Sequence, residues 1–234
     1  MKKSIPNLIT LGNLLCGVIA TMQAVQGNLA LAALFIALGI FLDFFDGMAA
    51  RLLGVAGPMG RELDSLADVV TSGVAPGMIL FTVLQSTSSL AVTPYLALLI
   101  PACSALRLAK FNIDERQTTS FLGLPTPANA LVWASIGVAF DRPDIANIAI
   151  VPMDIPSVPF LLLIMMVLSF MLISELPLFS LKIHSLRWSD NKIQYIFLLG
   201  AILLIILFGV MGIALTILWY ILLSILTSRN NAKS

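Results

Sequence analysis

Residues 43–68 read DFFDGMAARLLGVAGPMGRELDSLAD and set Asp43, Asp46, Asp64 and Asp68 between two long apolar runs. The rest of the chain is built to meet lipid. Of its 234 residues 59% are hydrophobic and 11% are charged, and mean hydropathy is +1.01. Length alone would allow one or two soluble domains; composition overrides it and predicts an all-α integral membrane protein, a polytopic helical bundle. Charged residues in that setting cost roughly 2.5–3.5 kcal/mol each at the centre of a spanning helix. Arg51 and Arg61 do not balance four aspartates and Glu62. Divalent cations would.

The spacing supports that reading. On a helix advancing about 100° per residue, Asp43, Asp46, Gly47, Ala50 and Arg51 share a sector of about 140°. Gly60, Asp64 and Asp68 follow at i, i+4 and i+8 and also share a face. Gly47, Ala50 and Gly60 are small where a ligand or a neighbouring backbone could approach. Two helices meeting on these faces would gather four carboxylates around one small volume. Hard cations such as Mg²⁺ or Mn²⁺ take oxygen ligands of this kind, and paired ions about 3.5–4 Å apart are a recurrent device for chemistry at phosphorus. The competing reading, ion pairs capping two helices at the interface, is short of arginines.

Outward from this stretch, the apolar runs predict helices at 8–25, 29–51, 62–84, 90–110, 121–140, 160–174, 193–208 and 211–226. That makes about eight transmembrane helices. Gly27-Asn28 and the glycine- and proline-containing 52–60 mark turns. Gly73, Pro76 and Gly77 predict a kink or local unwinding in the third helix. A loop is expected over 141–159, and 160–174 is short for a full span. Residues 175–192 mix cations with Leu, Phe and Trp, as a segment lying at the interface would. The expected division is therefore a six-helix catalytic bundle at 1–174, an interfacial segment at 175–192, and two added helices with a tail at 193–234.

The positive-inside rule orients the bundle. With both termini cytoplasmic, Lys2, Lys3, Arg51, Arg61, Arg107, Lys110, Arg116, Lys182, Arg187, Lys192, Arg229 and Lys233 all fall inside, and of the 13 cations only Arg142 falls outside. The acids are then cytoplasmic too. The net charge of +1 comes with no basic patch of useful size, which excludes a nucleic-acid partner. The two cysteines, Cys16 and Cys103, lie in apolar runs without disulfide or metal spacing. His184, the only histidine, reads as a surface residue. Asn13, Thr21 and Gln23 turn one face of the first helix toward the bundle, either for interhelical hydrogen bonds or for a substrate. Arg107 and Lys110 end a helix near the acids, where they could bind an anion or snorkel to the interface. A transporter with a divalent-cation site would spread ionisable residues through the bilayer; here they crowd at one end.

Asp43, Asp46, Gly47, Ala50, Arg51, Gly60, Asp64 and Asp68 also spell D-x₂-D-G-x₂-A-R-x₈-G-x₃-D-x₃-D without a departure. This resembles the signature of the CDP-alcohol phosphotransferases, integral membrane enzymes of phospholipid synthesis. The resemblance implies that an acceptor hydroxyl displaces CMP from a CDP-linked lipid. It further implies two divalent cations held by Asp43, Asp46, Asp64 and Asp68, with Asp68 as general base. Gly47, Ala50 and Gly60 would leave room for the nucleotide, and Arg51 would face phosphate. Three further stretches, IPNLITLGNLLCG at 5–17, LRLAKFN at 106–112 and FLGLPTPANA at 121–130, are similar to the phosphatidylserine-synthase branch. That similarity implies CDP-diacylglycerol and L-serine as substrates, a homodimer, and a site at the cytoplasmic face of a prokaryotic membrane. Glycerol 3-phosphate or an inositol-type acceptor is the alternative within the family. Arg107 or Lys110 could meet the carboxylate of serine and Glu62 its ammonium.

Overall fold

Gly27-Asn28 and the stretch around Gly54, Gly57 and Pro58 divide the N-terminal third into three helices. In the computed structural model, which describes residues 4–113, 121–146, 150–151, 153–178 and 191–231, these are α1 (Ser4–Val25), α2 (Leu29–Leu52) and α3 (Pro58–Asp68). The first turn needs Gly27, whose φ is +87°. Pro58 starts α3, where its missing N–H is not required.

Behind α3 the chain does not kink sharply. It widens into a π-helical turn, Val69–Val74, and resumes as α4 (Ala75–Thr87). The Ala75 amide bonds the Val70 carbonyl, five residues back. The cause is Pro76, which has no amide to offer Ser72 and whose ring crowds that carbonyl; a wider turn accommodates both. The unwinding expected at Gly73–Gly77 is therefore present, one turn earlier, within a continuous 30-residue helix, Pro58–Thr87.

A 3₁₀ stretch, Thr93–Leu98, leads into α5 (Leu99–Ile113). α6 runs over Thr126–Asp141, which corrects the expected start at 121. Phe121 and Leu122 instead pair antiparallel with Leu178 and Pro177. Leu124 precedes Pro125, and a residue before proline is steered away from helical angles, so the helix waits for Thr126. Among its described residues the expected loop beyond holds a short helix, α7 (Pro143–Ala146). α8 (Val158–Ile173), α9 (Lys192–Phe208) and α10 (Met211–Asn231) complete the described order. Most of the segment 175–192, with His184, Lys182 and Arg187, lies outside the described residues.

α6 is the centre of the bundle, with Trp133, Ala130, Val132 and Ile136 buried against α2, α4 and α10. Around it α1, α2, α8 and α9 turn Leu, Ile, Phe and Met outward. Such a surface would aggregate in water and is what a bilayer requires. Among the described residues, four helices, Ser4–Val25, Leu29–Leu52, Pro58–Thr87 and Thr93–Ile113, are long and apolar enough to cross a membrane, and three shorter apolar ones accompany them. The protein is an all-α polytopic membrane protein. Cys16 and Cys103 are buried and unpaired, consistent with packing residues.

The cations are sorted along the bundle as well. The Asp141 carboxylate accepts the Ala30 amide at 2.9 Å, so Arg142 stands at the N-terminal end of α2. Arg51 stands at the other end of α2, which at 24 residues is about 36 Å long.

Candidate active site

Asp43 comes from the C-terminal half of α2, and Asp64 and Asp68 lie one turn apart on α3. One carboxylate oxygen from each lies within 4.8 Å of the others. Asp43 and Asp64 approach to hydrogen-bonding distance. Among the described residues, none of these acids has a Lys or Arg in ion-pair contact; one ion pair, Arg142–Asp144, lies at the far end of the bundle. Buried Asp64 Oδ1 has no hydrogen-bond partner at all. Like charges this close repel unless a proton or a cation lies between them. The donor set is three hard oxygens converging on one small space, and it fits a divalent cation.

Asp46 is placed differently from the expectation that all four acids meet. Its buried carboxylate accepts a 2.5 Å hydrogen bond from the Thr10 hydroxyl of α1. It stays within electrostatic range of Asp64 and Asp68 but is not one of the three converging groups.

α1 also fixes Asp68. The Asn13 side-chain amide donates to Asp68 Oδ1 at 3.3 Å, and the Asn13 main-chain carbonyl accepts the Thr71 hydroxyl at 3.0 Å. Only small residues allow this approach. A Cβ on Gly17 would stand 2.8 Å from the Thr71 main chain, and one on Gly39 2.8 Å from Asn13 Oδ1. Asn13 thus makes the interhelical bond that was one of its two readings. Thr21 bonds only the Gly17 carbonyl of its own helix, and Gln23 accepts from Asn28.

Arg107 faces the cluster from α5 and interacts electrostatically with Asp68. Its guanidinium reaches Thr126 Oγ1 at 3.5 Å and lies 5.8 Å from the Phe111 ring centroid, while Nε is buried without a partner. The other candidates form a rim. Gly47 is half-buried on the α2 face, and an added Cβ there would meet nothing within 4 Å. Ala50 is half-buried and Arg51 exposed one turn on. A Cβ on Gly60 would have Asn7 Oδ1 3.8 Å away as its nearest neighbour. Exposed Glu62 accepts from Asn112 Nδ2 at 3.4 Å, and Asn112 also bonds Ser65. Exposed Lys110 donates to the Ile173 carbonyl at the end of α8, at 3.4 Å.

Thr10, Thr71, Asn112 and Thr126 escaped the sequence reading. Thr10, Asn112 and Thr126 lie inside the three stretches quoted above but were not singled out there, and Thr10 also stands at i, i+3 with Asn13 on the first helix.

A family model described as CDP-alcohol phosphatidyltransferase matches residues 3–153. The chain is similar to the CDP-diacylglycerol–serine O-phosphatidyltransferase of Bacillus subtilis, 47% identical over 127 residues, which are 53% of this chain and 69% of that protein. It is also similar to the proteins of that name from Mycobacterium leprae, 36% over 134 residues, and Methanocaldococcus jannaschii, 36% over 129 residues. These matches take in 54% and 55% of this chain but only 44% and 58% of those two relatives.

Proposed function

The chain belongs to the CDP-alcohol phosphatidyltransferase family, and from that premise we propose that it transfers the phosphatidyl group of CDP-diacylglycerol to the hydroxyl of L-serine, giving phosphatidylserine and CMP. The observation that carries the proposal is the convergence of Asp43, Asp64 and Asp68 within the family-matching stretch. The names of the relatives supply the acceptor.

Asp43, Asp64 and Asp68, with Asp46 beside them, would hold two divalent cations, Mg²⁺ or Mn²⁺. When bound, such ions neutralise the pyrophosphate and the charge collecting on the departing CMP oxygen. Asp68 is the general base. Asn13 occupies its Oδ1, leaving Oδ2 to take the serine hydroxyl proton. The serine oxygen bonds to the phosphatidyl phosphorus, the bond from that phosphorus to the CMP oxygen breaks, and CMP leaves with the electron pair. Gly47, Ala50 and Gly60 leave space for the cytidine, and Arg51 meets phosphate at the rim. Arg107 is placed to hold the acceptor carboxylate. Lys110 and Glu62, on the rim, would meet the acceptor as it arrives.

Catalysis is assigned to residues 1–174, with 175–192 as an interfacial segment and 193–234 as a supporting pair of helices. The site lies at the cytoplasmic face in this reading, because Arg51, Arg61 and Lys110 share its end of the bundle and Arg142 does not. A homodimer is part of the proposal. The test is CMP release from CDP-diacylglycerol by the purified protein with L-serine, glycerol 3-phosphate or inositol. Serine should be fastest by at least tenfold. Faster release with glycerol 3-phosphate would overturn the serine assignment and leave the family chemistry standing.

A further inference from the structure

Thr10 is buried on the inward face of α1, where α1 and α2 meet in antiparallel order. Asn13 lies against Gly39, Gly12 against Leu42 and Thr10 against Asp46. A Cβ on Gly12 would stand 3.3 Å from Leu42 Cδ1, and one on Gly39 2.8 Å from Asn13 Oδ1. The two glycines therefore set how near the helices come, and with it the reach of Thr10.

The Thr10 hydroxyl has two acceptors in range and one proton. The Pro6 carbonyl, one turn back on α1, is 3.1 Å away and Asp46 Oδ2 is 2.5 Å away. A threonine in a helix is parked by such a contact with the carbonyl four residues back, and its branched Cβ leaves few other rotamers. The shorter distance, in the range of a hydroxyl bound to a carboxylate, gives the proton to Asp46. Pro6 thus fixes the rotamer and Asp46 takes the bond. Among the described residues the other donor to Asp46 is the main-chain amide of Gly47.

Asp43 and Asp46 are one turn apart on the same face of α2. Nothing within α2 keeps the Asp46 side chain from turning toward Asp43, Asp64 and Asp68. Its carboxylate nevertheless stays outside the converging group. The bond from α1 is what separates the two arrangements. Four carboxylates around one divalent cation would leave two negative charges uncompensated in a bundle surrounded by lipid. Three around one cation, with Asp46 kept for another, let two cations balance all four.

We propose that Thr10 is a positioning residue for the second cation: it holds Asp46 out of the three-carboxylate group and so reserves a carboxylate for that cation. This rests on the two-cation reading above. Asn13, one turn along, bonds Asp68 within the group, so the two polar residues of α1 act in opposite senses on the acids they hold.

The test is Mn²⁺ binding by full-length protein in mixed micelles with CDP-diacylglycerol, read from the electron paramagnetic resonance of free Mn²⁺. The unmodified protein should bind two Mn²⁺ per chain. Thr10→Val, alike in shape but without the proton, should weaken one of them at least tenfold and move the other less than threefold. Turnover should return to within threefold of the unmodified value at saturating Mn²⁺, with the half-maximal Mn²⁺ concentration raised at least tenfold. Thr10→Ser should restore both affinities to within threefold. Beside Asp46→Asn, Thr10→Val should change Mn²⁺ binding less than twofold further, because Thr10 acts through Asp46. Equal weakening of both sites, or an effect that persists in full beside Asp46→Asn, would make Thr10 a general packing residue and overturn the proposal. Two unshifted sites in Thr10→Val would overturn it alone. Fewer than two Mn²⁺ on the unmodified protein would overturn the two-cation reading and this proposal with it. Should Thr10→Val not fold, Thr10→Ala takes its place, and unshifted binding there overturns the proposal equally.

Discussion

If Asp43, Asp64 and Asp68 exist to hold cations, Asp64→Asn should change sign in its effect on stability when metal is removed. With one oxygen of each acid within 4.8 Å of the others and an effective dielectric of about 20, each pair of ionised carboxylates repels by at least about 3 kcal/mol before screening. The substitution removes two of the three pairs. Asp43 and Asp64 are only half-buried, so water and salt screen much of this. We expect about 1–2 kcal/mol of net stabilisation in chelator, which is roughly 2–8 °C in Tm for a chain of this size.

With saturating Mg²⁺ or Mn²⁺ the order reverses. A cation at one hundred times its Kd adds about 2.7 kcal/mol to the unmodified protein, and little to a variant that has lost a charged ligand. The assay is thermal unfolding in one detergent at fixed ionic strength, with chelator and with a metal series. Asp64→Asn should melt higher than the unmodified protein in chelator and lower in metal. A variant that melts lower in both conditions, with an undiminished gain from metal, would refute the reasoning, since it would make Asp64 a structural partner rather than a ligand.

Asp68→Asn should lower turnover 10²–10⁴-fold, the usual worth of a general base, yet weaken Mn²⁺ and CDP-lipid binding less than Asp43→Asn or Asp64→Asn. Equal loss of binding in all three, read by titration, would make Asp68 chiefly a ligand. Gly39→Ala forces a Cβ to within 2.5 Å of Thr71 Cγ2 and should cost about 1–3 kcal/mol in unfolding experiments. Gly47→Ala meets no atom within 4 Å and should leave stability within about 0.5 kcal/mol, while raising the CDP-diacylglycerol KM if cytidine lies against it. In a background without Cys16 and Cys103, a cysteine at position 143 should label from outside intact cells and cysteines at 116 or 231 should not; outside labelling at 116 would reverse the proposed topology.

What the sequence made legible follows from what lipid demands. Backbone groups in a bilayer must be satisfied within a helix, so the apolar runs fall on helices, nearly end to end at 29–51 against Leu29–Leu52 and 193–208 against Lys192–Phe208, whereas 90–110 opens on a 3₁₀ stretch and becomes α-helix only at Leu99, and 121–140 becomes helix only at Thr126. Angular position alone was enough to bring Asp43, Asp64 and Asp68 to one another, because both helices are regular there. Asp46 shared their sector and still parted from them. Its place is set by Thr10, 36 residues away on another helix, and no local spacing encodes such a contact. The same holds for Arg107, whose direction depends on Thr126, 19 residues further along the chain.

The π turn shows most plainly where local reading stops. Gly73, Pro76 and Gly77 announced a disturbance, but not its phase. A π turn advances the chain by about 80° per residue instead of about 100°, so across Val69–Val74 the helix face falls behind by roughly 100°. That lag decides which residues of α4 share a side with Asp64 and Asp68. It sets Gly73 against Ser104 and Gly77 against Pro101, where a Cβ would come within 3.0 and 2.9 Å, while Thr71 still reaches back to Asn13. Insert a regular α-helical turn in its place and either the acids leave α2 or the glycines leave α5; one helix can serve both neighbours only because its middle is wound more loosely than its ends.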